Sequence, residues 1–296
     1  MASIQRIAVI GATGMLGQPV THELITAGFD VTVVSRSPET ARDLFPAATV
    51  VAGDVFDASS IERALDGQDA VYLNLSVDPS ERPDDPHTET DGLRTVIAAA
   101  RAQNLQRIAY LSSLVKDYQG QDGFHWWVFE VKHEAVRLLK ASGLPTTIFY
   151  PSNFMENFLH DFMQGRRLVL IGTSQHPMYF IAGRDYGRQV ARSFEVLDEQ
   201  NREYAVQGPE AYRTEDAAEL FAKHYTAADL RITHVPLGIV KFIGWFSRQA
   251  DYGTRIIEAI NHYPETFQSQ ATWDELGTPT TTIADFARQV SAEADA

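Results

Sequence analysis

The chain contains no cysteine, which removes disulfide staples, thiolate nucleophiles and cysteine-based zinc sites together. Positive charge is scarce: 25 lysines and arginines stand against 39 aspartates and glutamates, a net charge of −14. A surface of that sign repels phosphate backbones, so no nucleic-acid partner is expected. No apolar run approaches the roughly 20 residues that cross a bilayer, and the N-terminus shows no basic and apolar leader. No integral membrane segment is therefore expected, and the location is read as cytoplasmic. The nine histidines show no HExxH or other close ligand spacing, so no metal site is expected. What is present, 44% hydrophobic and 22% charged residues in a chain of 296, suffices for an ordinary globular core.

The runs RIAVIG, DVTVVSR, ATVVAGD, AVYLNLS, RIAYLSS and PTTIFYP read as six strands of one sheet. Their continuous apolar character suits strands covered on both faces. Helix-length amphipathic segments lie between them, among them SSIERALDG, TETDGLRTVIAAARAQ and WVFEVKHEAVRLLKASG. That alternation predicts an α/β Rossmann fold, a doubly wound parallel sheet. After about residue 151 the alternation fades into shorter elements. The expected division is an NAD(P)-binding domain over 1–151 and a smaller α+β substrate lobe over 152–296, packed on it.

GATGMLG follows the first strand and opens a helix, the context in which a glycine motif points to a dinucleotide. Gly11 takes the tight turn, Gly14 lets main-chain amides approach a pyrophosphate, and Gly17 lets helix and strand pack closely. The expected contacts are Gly11, Thr13, Gly14, Met15, Leu16 and Gly17; the competing reading is a tight turn with no ligand. Where an NAD-selective site places an acid, the chain has VVSRSPE. Ser35 and Arg36 suit a ribose 2′-phosphate, so NADP(H) is favoured over NAD(H), against the reading of a merely exposed arginine. Asp54, with Val55 beside it, is placed to take the adenine amine. Asp57 reads as a helix cap.

Together with LSS and EVKHEAVRLLKASGLPTTIFYPSNFMENF, these motifs resemble the atypical short-chain dehydrogenases/reductases, and within them the NmrA-like and isoflavone-reductase-like group. LGTPTTTIADFARQ resembles the group's closing segment. The likeness spans nearly the whole chain and is tightest over residues 7–157. One departure stands out: the wider superfamily pairs Tyr-x-x-x-Lys, and here Val128 precedes Lys132 by four. The resemblance implies that Lys132 holds the nicotinamide ribose or supplies a proton. The alternative is a lysine at the edge of a buried stripe, reaching to water. Ser112 and Ser113 end strand five, where ligands of open α/β sheets collect. Either they bond the nicotinamide or a substrate carbonyl, or they cap the strand end. Asn74, Leu75 and Ser76 line the adenosine-ribose side. Tyr150, Pro151, Ser152 and Asn153 fall where the group's nicotinamide-facing loop lies, with Tyr150 either a substitute acid or a core aromatic.

FHWWVFE places His125, Trp126, Trp127 and Phe129 near that site, and with Phe154 they form an expected aromatic wall for a flat substrate. The competing reading is helix-start packing. PLGIVKFIGWF, from Pro236 to Phe246, reads as a buried helix or a lid, with a membrane-surface or dimer contact as alternatives. The expected function is an NADP(H)-dependent oxidoreductase acting on a small aromatic or quinone-like carbonyl or enone compound. Its rival is a non-catalytic NADP(H) sensor that binds a protein partner, with a homodimer as another form of association.

Overall fold

The computed structural model describes residues 3–196, 200–245 and 247–294. The first half alternates strand and helix: β1 (Arg6–Ile10), α1 (Gly17–Thr26), β2 (Asp30–Ser35), α2 (Pro38–Leu44), β3 (Thr49–Ala52), α3 (Ala58–Leu65), β4 (Ala70–Leu73), α4 (Leu93–Ala102), β5 (Arg107–Leu111), α5 (Trp127–Lys140) and β6 (Thr146–Pro151). A single π-helical turn, Thr88–Gly92, leads into α4. The second half contributes β7 (Asn153–Phe154), β8 (Met163–Gln164), β9 (Arg167–Ile171), β10 (Met178–Ile181), α6 (Gly183–Ser193), β11 (Arg202–Val206), β12 (Ala211–Tyr212), α7 (Thr214–His224) and β13 (Arg231–Val235). It closes with α8 (Leu237–Gly244), α9 (Arg248–His262), α10 (Gln270–Leu276) and α11 (Ile283–Ala294).

The six strands expected from the sequence form one parallel sheet, and β11 joins it as a seventh, in the order β11-β6-β5-β4-β1-β2-β3. The chain winds outward in one direction from β1 through β2 to β3, then returns to β4 on the other side of β1. That reversal opens a crevice at the carboxyl ends of β1 and β4. Successive strand residues alternate between two cores. Ile7 and Val9 pack with Val20 and Leu24 of α1 and Tyr186 and Val190 of α6. Ala8 and Ile10 face Ile61 of α3, Val96 of α4 and Val136 of α5. Both faces are covered, which is why the strands read as unbroken apolar runs. The buried Tyr72 and Tyr186 hydroxyls meet at 2.9 Å and satisfy each other across the first core.

β10 pairs with β12 and β7 in one small sheet, and β9 with β13 and β8 in another. A third core of Phe129, Phe158, Phe180 and Phe221 joins these to α5 and α7. The sequence pattern gave no sign of α2, a short helix opened by Pro38, where proline's missing N–H costs nothing. Asp57 caps α3 by accepting the Ser59 and Ser60 amides, as its position before that helix suggests. The reading of residues 236–246 as a buried helix is corrected. α8 forms but has no buried residue, and Ile239, Phe242 and Ile243 are half exposed or more. Its main packing partner is α9, so most of its apolar surface faces outward. Phe246 lies outside the described residues.

Glu156 sits behind the first turn of α6. Its Oε1 accepts the Gly183 amide at 2.8 Å, while Oε2 is buried without a partner. Burial pushes the carboxyl up to about 7. The folded chain therefore keeps this proton from its ordinary pKa of 4.5 up to about 7, a window in which the unfolded chain releases it. Stability from this group falls as pH rises through that window and is lost above it. Glu156→Gln keeps the acceptor for Gly183 and has no proton to lose. The variant is expected to melt about 2–4 °C or more above the parent at pH 8, with the difference vanishing near pH 4.5, as read by calorimetric scans at both values.

Candidate functional site

The turn from β1 into α1 is fixed by contacts that only glycine permits. Gly11 has φ +85°, and a Cβ there would lie 2.1 Å from the Asn74 carbonyl oxygen. A Cβ on Gly17 would lie 2.0 Å from the Gly11 carbonyl oxygen. Gly14 differs: nothing in the protein comes closer than 3.5 Å to an added Cβ. Two glycines serve the protein's own packing, whereas the third borders open space. α1 begins with no side-chain cap and no acid in its first turn; the Gln18 amide donates to the Gly14 carbonyl at 3.0 Å and Pro19 has no N–H, so the helix start offers an anion chiefly the positive end of its dipole. The Asn74 amide donates to the Gly11 carbonyl at 3.3 Å and ties the loop to the end of β4.

This loop borders a cleft of about 790 Å³. Gly11, Thr13, Gly14, Met15 and Leu16 form one side of it. Ser35, Arg36, Asp54 and Val55 form the other, with Asn74, Leu75 and Ser76 between them. Gly17 stays beneath, in the helix. Arg36 is exposed and makes no hydrogen bond or ion pair among the described residues. Asp54 Oδ1 accepts the Phe56 amide at 3.0 Å, which orients the carboxylate at the rim. A helix start with no acid against it, a glycine with room beside it and an unpaired guanidinium together fit a dinucleotide carrying an extra phosphate.

Met15, Leu16, Asn74, Leu75 and Ser76 are also part of a second cleft of about 680 Å³, so the two share a wall. Ser112, Ser113, Lys132, Pro151, Ser152, Asn153 and Phe154 all line this second cleft. Its remaining surface is largely apolar, with Leu170, Ile256, Ile257 and Ile260 prominent. Three deeply buried polar atoms in its wall have no partner: the Ser112 hydroxyl, the Asn153 side-chain amide nitrogen and Glu215 Oε2. Buried polar groups are seldom left so, and all three lie beside the cleft.

Lys132 is held by a residue that the sequence did not single out. Its ammonium donates to Glu89 Oε1 at 2.8 Å, and the Tyr110 hydroxyl donates to the same oxygen at 2.6 Å. Glu89 is fully buried. Tyr110's hydroxyl is pushed well above its ordinary range, first by burial and then by the Glu89 charge. Val128, where the superfamily tyrosine would stand, is itself fully buried. The π-helical turn aims Glu89 inward. One signal was available: Glu89 falls in helical phase with the buried Leu93, Val96 and Ala100, an unusual place for an acid. Glu265 was missed as well. It accepts from Ser152 Oγ and Gln207 Nε2, each at 2.6 Å, and burial pushes it up to about 7.

Other expected residues lie elsewhere. The Tyr150 hydroxyl donates to Glu203 at 2.6 Å, and the Lys116 ammonium lies 4.6 Å from its ring centroid. Tyr150 does not line the second cleft, because alternate residues of β6 face opposite sides and its neighbours Phe149 and Pro151 take the other one. Trp126 is buried against Phe129 and Tyr252, and the Trp127 ring stacks on His87 at 4.9 Å. His125 lines a separate surface hollow beside Trp245. Of the expected aromatic wall, Phe154 lines the cleft, whereas Trp126 and Phe129 pack the start of α5 and neither Trp127 nor His125 reaches the lining.

Residues 11–169 match the NAD(P)H-binding family model. A (4-alkanoyl-5-oxo-2,5-dihydrofuran-3-yl)methyl phosphate reductase of Streptomyces griseus is 31% identical over 78% of this chain and 75% of that protein. The photosystem II assembly factor Ycf39 of Cyanophora paradoxa is 24% identical over 86% of this chain and 79% of that protein. Among solved structures, an NADPH-dependent quinone oxidoreductase of Escherichia coli complexed with NADPH superimposes with a TM-score of 0.71. It is 24% identical and covers 96% of this chain and 99% of that one, a likeness of fold.

Gly14→Ala is expected to change stability by no more than about 0.5 kcal/mol, because the added methyl fits within the protein. It should weaken NADPH binding by about tenfold or more, as read by calorimetric titration. Lys132→Ala leaves Glu89 buried without its cation and should cost about 3–5 kcal/mol in urea unfolding at pH 7. Combining it with Glu89→Gln should recover most of that loss.

Proposed function

The chain belongs to the NAD(P)H-binding family, and from that premise we propose that it is an NADPH-dependent reductase of small, largely apolar quinone, enone or carbonyl compounds. The observation that supports this reading most directly is the shared wall between the two clefts. A dinucleotide lying along the GATGMLG loop runs toward Ser112 and Lys132, where unpartnered polar atoms meet an apolar chamber. The named substrate of the Streptomyces relative, a dihydrofuran with oxo and alkanoyl groups and a methyl phosphate arm, matches such an acceptor in its conjugated carbonyl part.

The bound cofactor supplies a hydride from its nicotinamide ring. The chain's own residues supply orientation, polarity and dryness. The Ser112 hydroxyl donates to the acceptor's oxygen and takes up negative charge as it develops there. Lys132, fixed by Glu89, directs its positive field to the same place and holds the ribose. Ser152, anchored on Glu265, keeps the loop after β6 in position. Leu170, Ile256 and Ile260 exclude water from the reacting carbon. No tyrosine acid is required, since the proton that completes reduction can reach an oxygen anion from Lys132 or from solvent.

A second reading, a dinucleotide-responsive protein that binds a partner, is favoured by the exposed apolar side chains of α8 and Trp245 and by the buried Val128 in place of the acid. The two readings divide on turnover. The purified protein is expected to oxidise NADPH with a panel of quinones and enones. Arg36→Ala should weaken NADPH binding by about tenfold while leaving NADH binding unaltered. A panel without turnover, together with partner capture that depends on the redox state of the cofactor, would favour the second reading.

A further inference from the structure

The two clefts carry opposite electrostatic character. The dinucleotide cleft offers an unpaired guanidinium and the positive end of α1 to an anionic ligand. In the second cleft, among the described residues, the cationic side chain is Lys132, already bonded to Glu89. Two carboxylates share that lining, Glu215 at the start of α7 and Asp161. Glu215 is held in place by the Ser174 amide, which donates to Oε1 at 2.8 Å. Its Oε2 is shielded from solvent and has no partner. The Asn153 side-chain amide nitrogen, in a residue only 3% exposed, is unpartnered in the same wall.

Tyr252 is also in that lining. Its hydroxyl is held above its ordinary range by burial first, then by the charges of Glu89, Asp161, Glu81 and Asp78. A negative field inside an apolar, partly closed chamber is screened far less than on an open surface. An acceptor with a phosphate or carboxylate tail would enter against that field and leave Glu215 unpaired. A cationic tail would bring a positive charge beside the Glu215 carboxylate and offset that field.

We infer that the second cleft selects hydride acceptors bearing a positively charged nitrogen on an apolar body, received by Glu215 with Asp161, and discriminates against phosphorylated ones, in contrast to the Streptomyces relative, whose named substrate carries a phosphate. The inference rests on the reductase reading for its chemistry, and its step balances simply. The acceptor carbon gains the hydride and its conjugated oxygen gains a proton. The cationic tail is unchanged.

The test uses three naphthoquinones of one skeleton whose side chains end in trimethylammonium, hydroxyl or phosphate, each turned over with NADPH by the whole protein. The expected order of kcat/KM is ammonium, hydroxyl, phosphate, with about tenfold between neighbours. In Glu215→Gln, which still accepts the Ser174 amide, the ammonium-to-hydroxyl ratio should fall toward one, and Asp161→Asn should lower it less. If the hydroxyl compound turns over and the ammonium compound has no advantage, the inference is overturned and the reductase reading stands. If none of the three oxidises NADPH, the reductase reading fails. Calorimetric titration of the redox-inert naphthalene analogues into the NADP⁺-loaded protein then decides the cleft's preference: tighter binding of the ammonium analogue upholds it, and equal or tighter binding of the phosphate analogue overturns it.

Discussion

The close approach of the β1–α1 turn to the end of β4 is the constraint on which both clefts depend. Gly11 lies against the Asn74 carbonyl where no side chain could fit, and the Asn74 amide reaches back to the Gly11 carbonyl. These contacts fix where α1 begins and where the positive end of its dipole points. They also hold Met15, Leu16, Asn74, Leu75 and Ser76 as one wall with a cleft on each side. A larger residue at position 11 would part the two strands at the point where the sheet reverses direction, and neither cleft would keep its shape.

An acid-rich chain still has to manage the carboxylates that it takes inside, and this one does so in three ways. Glu89 is met by an ammonium and a phenol on one oxygen. That arrangement offsets the cost of burying the charge and immobilises Lys132 in a single orientation. Glu156 is stabilised by a helix amide and by retaining its proton near neutrality. Glu265 accepts from Ser152 and Gln207 and so fastens the loop after β6 to the segment beyond α9. In each case the acid joins elements that are distant in sequence, and two of the three bear directly on residues in the wall of the second cleft.

The strands were legible because burial on both faces leaves a continuous apolar run, a signal that survives without any knowledge of neighbours. The GATGMLG loop, Ser35, Arg36, Asp54 and Asn74 could be placed together because each ends a strand of one parallel sheet, and parallel strands end on one edge. α8 was misjudged because apolar composition reports the tendency to be buried, not the presence of something to bury against. Trp126 and Trp127 were misplaced for a related reason. Nearness in sequence to Lys132 does not tell which side of α5 an aromatic at the helix start will face. Glu89 escaped notice because an acid in the first turn of a helical run reads as an exposed residue favoured by the helix dipole, even where its phase matches the buried stripe.

The sequence by itself determined the winding of the sheet and the glycine turn, since strand burial, chain reversal and steric freedom at an α-carbon are local properties of residue type. Tertiary structure alone decided that Lys132 and Tyr110 would meet on Glu89, that Tyr150 would turn to Glu203, and that Glu215 would join the lining of an apolar chamber. Those outcomes depend on which elements meet in space. A side chain's protonation and reach are set by neighbours tens of residues away, and no spacing along the chain encodes them.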